Sequence, residues 1–261
     1  MTTPSIETRG LTIRFGGHAA VNGVNCAFRP GELTVIVGPN GAGKTTWFNL
    51  VSGQLSPTEG RIFKNGADIT RLSPAARAKA GIGRAFQLTN LFPRLSVLEN
   101  VRLAVQARKG LGPRAIRPAS VYRDVTSHAY QHLVATHLDA VAELPAAALP
   151  HGDQRKLEVA LLLAMEPDVF MFDEPTAGMS LDEAPVILDL IAAIKKDTSK
   201  TILLVEHKMD VVRALADRIV VLHNGELVAD GEPDAVMALP IVREIYLGLP
   251  PEEEAVPEAV S

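Results

Sequence analysis

Residues 33–53 read LTVIVGPNGAGKTTWFNLVSG. The first five, Leu33 to Val37, are apolar and rich in β-branched side chains, the composition of a short buried strand. Gly38, Pro39, Asn40, Gly41, Ala42, Gly43, Lys44 and Thr45 then satisfy G-x-x-x-x-G-K-[ST] at every fixed position. Thr45, Thr46 and the residues to Ser52 predict a helix that Gly53 ends. A strand, a glycine-rich loop and a helix N-terminus in that order cradle phosphates. The glycines let backbone N–H groups converge on phosphate oxygens, and the helix dipole adds positive potential. There Lys44 reaches the β- and γ-phosphates and the Thr45 hydroxyl can ligate Mg²⁺. The competing reading, a glycine-rich turn without a ligand, leaves the flanking strand and helix as coincidence.

Working outward, strand-like runs at Ile6 to Phe15 and Val21 to Phe28 are broken by Gly16-Gly17 and Pro30-Gly31. Turn chemistry at 57–60 and at Asn65-Gly66 brackets a short strand, Arg61 to Lys64. Pro74 to Ala80 predicts a short helix with Pro in its first turn. Over 96–166 the composition shifts to Ala, Leu, Glu and His and predicts a helical insert. Ser96 with Glu99 resembles a capping box opening a helix to about Lys109, followed by a loop at 110–118. Val121 to Leu138 and His151 to Met165 predict two more helices.

Alternation of strand and helix then resumes. Strands are expected at Val169 to Phe172 and Thr201 to Val205, helices at Glu183 to Lys196 and Lys208 to Ala216. Ile219 to Leu222 and Glu226 to Ala229 flank the turn Asn224-Gly225. Continuous apolar runs alternating with helices predict a parallel sheet covered on both faces. Residues 250–261, PPEEEAVPEAVS, have the composition of a disordered tail.

Composition excludes several classes. The 261 residues are 47% hydrophobic and 21% charged, ordinary for a globular chain. With Lys+Arg 26 against Asp+Glu 30, the formal charge is −4, so no basic field gathers nucleic acid or anionic lipid. No stretch approaches the roughly 18 apolar residues of a membrane span; Val159 to Met165 is the strongest run and lies between Glu158 and Glu166. The start MTTPSIETRG lacks the basic residues and apolar run of a signal peptide. The lone cysteine, Cys26, has no intramolecular disulfide partner and points to a reducing compartment. A mean hydropathy of +0.13 is slightly apolar and leaves room for an apolar partner surface.

A second chemical signal is VFMFDE at 169–174, an apolar strand ending in two acids. At the C-terminal edge of a parallel sheet such acids face the ligand crevice. Asp173 is then placed for Mg²⁺, and Glu174 for polarising the water that attacks a γ-phosphate. The plainer reading is a helix cap before Pro175-Thr176. His207, directly after TILLVE, is either a γ-phosphate contact or a structural histidine.

GPNGAGKT (38–45), Gln87 in AFQ, LPHGD (149–153), VFMFDEP (169–175) and His207 occur in this order across residues 6–248. This ordered set resembles the ATP-binding-cassette ATPases that drive ABC transporters. The resemblance implies an α/β fold: a P-loop NTPase (RecA-like) core with an antiparallel β subdomain and an inserted α-helical signature subdomain. It divides the chain into core residues 1–87, helical subdomain 88–166, core 167–248 and acidic tail 249–261. It implies ATP and Mg²⁺ as ligands and Phe15 as the aromatic that stacks on adenine, in place of a plain core aromatic. Gln87 is expected to join Mg²⁺ or water to the membrane-facing helical subdomain, and His207 to contact the γ-phosphate.

GIGRAFQLTNLFPRLSVLENV (81–101), HGDQRKLEVA (151–160), DEPTAGMS (173–180) and REIYLG (243–248) resemble the importers of branched-chain and other hydrophobic amino acids. Urea importers share much of this wording. Ser180, where many cassettes carry Asp, is usual in the amino-acid group. The implied partners are a second cassette, two membrane permease subunits and, indirectly, an extracytoplasmic substrate-binding protein. The implied place is peripheral, on the cytoplasmic face of the membrane. Soluble cassettes of DNA repair or translation are the other class; a coiled-coil insertion, a second phosphate loop and basic net charge are all lacking here. Leu91, Phe92, Leu95 and Leu98 are expected either to form a groove for a permease coupling helix or to fill the helical core.

One motif departs from the family. The signature, normally LSGGQ, is here Leu149-Pro150-His151-Gly152-Asp153. In the family the signature serine of one cassette donates to the γ-phosphate held by the other. Pro150 has neither hydroxyl nor N–H, and Asp153 brings negative charge. Two expectations follow: a weakened site within an asymmetric heterodimer, or a Pro that simply opens the helix, with Asp153 suited to its first turn.

Overall fold

The computed structural model describes residues 3–85, 91–111 and 119–247. Gln87, most of the 110–118 loop and the tail from 248 onward lie outside the described residues. The first sheet begins with β1 (Ile6–Phe15) and β2 (His18–Phe28), an antiparallel hairpin. Next come β3 (Leu33–Val37), α1 (Lys44–Ser52), β4 (Glu59–Lys64), β5 (Ala67–Asp68), α2 (Pro74–Lys79) and β6 (Ile82–Ala85). A helical unit follows: α3 (Val97–Arg108), α4 (Ala119–Ala135) and α5 (His151–Met165). The chain returns through β7 (Val169–Asp173), α6 (Ala184–Lys195), β8 (Thr201–Val205), α7 (Met209–Leu215), β9 (Arg218–His223) and β10 (Glu226–Gly231). It closes with α8 (Pro233–Met237) and α9 (Pro240–Leu247).

The apolar runs read as buried strands are buried at every position in β3, β7 and β8. They lie inside a six-stranded sheet of order β10-β9-β3-β8-β7-β6, parallel except for β10 at its edge. A four-stranded antiparallel sheet, β2-β1-β4-β5, packs separately. Between the two sheets lie Phe28, Trp47, Phe48 and Leu50, with ring centroids of Phe28 and Trp47 5.3 Å apart. On the other face Ile187 and Ile191 of α6 and Val212 of α7 cover Phe172 and Leu204. Fully burying each such Leu, Ile or Phe contributes about 1.5–3 kcal/mol.

The helical unit has its own core. Val97, Val101 and Val105 recur every fourth residue on α3 and meet Val125, Ala129 and Leu133, spaced alike on α4. From α5, Leu157, Ala160 and Ala164 join this cluster, while Val159 and Leu162 join the sheet cluster. This double duty explains why α5 is apolar on two sides.

Most expected elements occur within one to three residues of their predicted bounds. The capping box is half made: the Glu99 N–H donates to Ser96 Oγ (3.1 Å), but the Glu99 carboxylate takes the Arg102 guanidinium instead. Strand β6 (IGRA) escaped the sequence reading because it is four residues long and holds Gly and Arg. Among the described residues no helix is long and apolar enough to cross a membrane.

Candidate functional site

The phosphate loop runs from the end of β3 into α1. Gly43 caps α1 at φ 97°, with no side chain bonded to the helix end. A Cβ there would fall against the carbonyl oxygen of Ala20 in β2, so only glycine fits. The Gly225 N–H, from the β9–β10 turn, donates to the Ala42 carbonyl (3.1 Å) and braces the loop. Lys44 Nζ folds back across the loop and donates to the carbonyls of Gly38 (2.6 Å) and Pro39 (2.9 Å). Burial pulls the Lys44 pKa down, and the carboxylates of Glu174 and Asp173 push back. Asn40 and Gly41 are exposed, and Thr45 and Thr46 are half-buried at the start of α1.

The two acids separate sharply. The Asp173 side chain is fully buried, whereas Glu174 is 31% exposed. After Glu174 the chain makes a turn and reaches helix only at Ala184, which excludes the helix-cap reading. Glu174 sits at φ 49°, the left-handed region, which costs a non-glycine residue about 1–3 kcal/mol. Its N–H donates to the Val205 carbonyl at the end of β8 (3.0 Å). That turn aims the carboxylate at His207, whose Nε2 lies 2.7 Å from Glu174 Oε1. His207 is 38% exposed, so it is not a core histidine.

Asp173 Oδ2 accepts from the Arg84 guanidinium (2.8 Å), while Oδ1 is buried without a hydrogen-bond partner. Burial raises the Asp173 pKa and the Arg84 charge opposes it. Among the described residues no group of three or more His, Cys, Asp or Glu gathers as a metal cage. A lone buried carboxylate oxygen and the Thr45 hydroxyl are nevertheless hard oxygen donors of the kind Mg²⁺ takes when waters and phosphates complete its shell. The donor set fits Mg²⁺ with a bound nucleotide.

At the signature, Pro150 is the N-cap of α5 and lies one position before the helix it was expected to open. Its carbonyl accepts from Gln154 N–H (3.0 Å). Leu149 is buried in the helical core, and His151 is exposed. A Cβ on Gly152 would collide with the Glu183 carboxylate, which also accepts from the N–H and hydroxyl of Ser180. Asp153 pairs with Lys156 one turn on (2.9 Å), which offsets its charge. Arg155 donates to Glu158 (2.8 Å) and to the Glu174 carbonyl (3.1 Å), clipping the signature helix to the acid pair.

Arg84 and Arg155 were not singled out from the sequence. For Arg84 the available signal was a charge inside the short run IGRA; Arg155 lies among other charged residues in HGDQRKLE and left none. Phe15, at the tip of the β1–β2 hairpin, is 52% exposed, which excludes the core-aromatic reading. The segment after residue 90 divides: Leu91 and Leu98 pack on the helical core, while Phe92 (56%) and Leu95 (37%) are exposed.

Comparison with known proteins agrees with this arrangement. The family model described as ABC transporter matches residues 21–177. The chain is 37% identical over 255 residues to the high-affinity branched-chain amino acid transport ATP-binding protein LivG of Escherichia coli, covering 95% of this chain and 99% of LivG. It is 36% identical to the corresponding protein BraF of Pseudomonas aeruginosa, with the same coverage. Among solved structures, a nucleotide-free ATP-binding cassette from an ABC transporter superposes with a TM-score of 0.79 at 27% identity, over 94% of this chain and 100% of that one. An ATP-binding cassette in its ADP conformation gives 0.78 at 27% identity, over 95% and 100%. Glycine loop, buried strand with its acid pair, and helical insert thus come together in one fold, and the chain belongs to the ABC transporter family as an ATPase cassette.

Proposed function

We propose that this chain is the ATP-hydrolysing subunit of an importer for branched-chain or other hydrophobic amino acids, acting on separate permease subunits. The observation that carries the chemistry is the Glu174–His207 pair at the ends of two adjacent strands of the phosphate-loop sheet. The near full-length likeness to LivG and BraF supports the substrate class.

Hydrolysis of ATP by water to ADP and phosphate needs positioning and charge more than covalent chemistry. Lys44 leaves the carbonyls of Gly38 and Pro39 for phosphate oxygens, joined by the N–H groups of residues 41–46. Glu174, oriented by His207, polarises the attacking water and accepts its proton. His207 then contacts the γ-phosphate, and Phe15 stacks on adenine. Thr45 and Asp173 would hold Mg²⁺, with Gln87 as the further contact expected from the sequence, and the bound ion would neutralise charge at the phosphates.

The separate cores of sheet and helical unit support dividing the chain at 1–87, 88–166 and 167–248, with 249–261 as a tail. The exposed Phe92 and Leu95 support a permease-facing groove. Two permease subunits, peripheral attachment at the cytoplasmic face and an extracytoplasmic binding protein complete the machine. The second cassette is a different chain: Pro150 offers no hydroxyl to the ATP of its partner, while the ATP on Lys44 uses the partner's own signature. Glu174→Gln then removes most ATPase turnover of the complex, and the matching change in the partner removes little; equal losses sink the asymmetry. Uptake of labelled leucine in a deletion strain tests the whole reading. Restoration by the wild-type chain but not by Glu174→Gln supports it, and restoration of urea uptake alone overturns the substrate class.

A further inference from the structure

Arg84 is a buried arginine in the short strand β6, with its side chain 5% exposed. The β6–β7 ladder, four parallel register pairs from Ile82↔Val169 to Ala85↔Phe172, uses only its backbone and leaves the side chain available for another task. Its guanidinium lies on the α1 face of the sheet, with its centre 5.5 Å above the Phe48 ring. One nitrogen donates to Asn49 Oδ1 (2.6 Å), Ser52 Oγ (3.0 Å) and Gln54 Oε1 (3.2 Å). Another donates to Asp173 Oδ2 (2.8 Å). Asn49 and Ser52 belong to α1, the helix whose first turn carries Thr45. The guanidinium therefore ties the end of β7 to the body of α1, and with it the two oxygen donors assigned above to Mg²⁺.

We propose that Arg84 is a positioning residue for the Mg²⁺–nucleotide site: it holds the Asp173 carboxylate by one oxygen, fixes it against α1, and presents the other oxygen to the cation. The inference rests on the assignment of Asp173 to Mg²⁺. The orphaned, buried Oδ1 is the observation that gives the clamp a purpose. Glu158 likewise has one oxygen on Arg155 and the other bare; what sets Asp173 apart is that its clamp ties it to α1, the helix that carries Thr45. The planar fork of Arg suits this task, because it reaches a carboxylate and several neutral oxygens at once. A Lys ammonium is a point charge that cannot span from Asp173 to Asn49 and Ser52 in the same way.

The test uses the full chain and Mn²⁺ with ADP, so that turnover plays no part. ADP affinity is measured in EDTA and again across a Mn²⁺ titration, with the Mn²⁺ electron paramagnetic resonance spectrum recorded on the bound complex. Arg84→Met is expected to leave the metal-free ADP affinity within about twofold. It should raise the Mn²⁺ concentration for half-maximal tight binding about tenfold, as expected for loss of an outer-shell partner of a metal ligand. Arg84→Lys is expected to restore only part of that shift. An unchanged Mn²⁺ dependence in Arg84→Met overturns the proposal, as does an equal loss of affinity with and without metal. If Arg84→Met does not fold, the double variant Asn49→Ala with Ser52→Ala keeps the ion pair and removes both anchors on α1. A shift of about threefold in the Mn²⁺ midpoint then supports the clamp, and no shift overturns it. Asp173→Asn separates the two levels. If it leaves the Mn²⁺ dependence unaltered, the metal assignment itself fails; if it shifts while Arg84→Met does not, only the clamp fails.

Discussion

Nε2 of His207 lies 2.7 Å from Oε1 of Glu174, which joins residues placed just past the ends of the adjacent parallel strands β8 and β7. The hydrogen bond sets the direction of a carboxylate whose backbone is already held in the left-handed region. Glu174→Gln is expected to lower kcat by about 10²–10⁴ while nucleotide affinity changes little. His207→Ala leaves the carboxylate but frees its orientation, so its kcat loss is smaller, about tenfold, with KM nearly unchanged. Steady-state ATPase measurements on the assembled transporter check both. A rise in KM at constant kcat for either variant counts against the assignment.

The phosphate loop fails through a different channel. In Gly43→Ala the added methyl meets the Ala20 carbonyl, so the loop must shift away from β2. Lys44→Ala removes a cation that the loop carbonyls now hold and that the phosphates later claim. Losing charge-assisted hydrogen bonds to phosphate costs about 3 kcal/mol, or two decades in nucleotide affinity. Equilibrium binding of a fluorescent nucleotide reads this directly, and near wild-type affinity in Lys44→Ala refutes it.

Phe92 is more than half exposed, in a segment pinned by Asn100, whose side-chain oxygen accepts from the Phe92 N–H (2.8 Å). Phe92→Asp is expected to leave folding and nucleotide binding intact and to remove substrate uptake, because it places charge on the proposed permease contact. Full transport by the folded variant sinks the groove.

Cys26 is buried on β2 beside Arg218, and burial pushes its thiol pKa up to about 12. The thiolate population at pH 8 is therefore negligible in the folded chain, and alkylation should follow unfolding. The sign of the pH effect is set by the unfolded thiol, which ionises near 8.5 while the folded one stays protonated. Stability thus falls as pH rises through this window, by up to about 1.4 kcal/mol per unit from this group. Cys26→Ala should lessen that slope in denaturant titrations; rapid labelling of native protein at pH 8 contradicts the prediction.

Much of the fold was legible along the chain. β3, α5 and β8 occur where their apolar runs and periodicity put them, because burial on both faces of a sheet leaves a continuous apolar record. Turn residues marked most boundaries. β6 left no such record, since its Gly and Arg are set by what lies above the strand rather than by strand propensity. Ser96 caps α3 as expected, yet the other half of its box is lost to Arg102, a choice between two neighbours that composition does not rank.

The sequence by itself determined the phosphate loop, the acid pair and the alternation of strands and helices. Each of these is written in consecutive residues and needs only local geometry. Tertiary structure decided what those residues face. Strand β3 lies between β8 and β9, and β7 between β6 and β8, so partners far apart in the chain share one edge. Arg84 and Asp173 are 89 residues apart, and His207 and Glu174 are 33 apart. The exposure of Phe15, the contact of Glu183 with Gly152 and the bare oxygen of Asp173 depend equally on how the layers pack. A motif fixes the type of side chain at a position, while strand order and burial fix its partner and its charge environment.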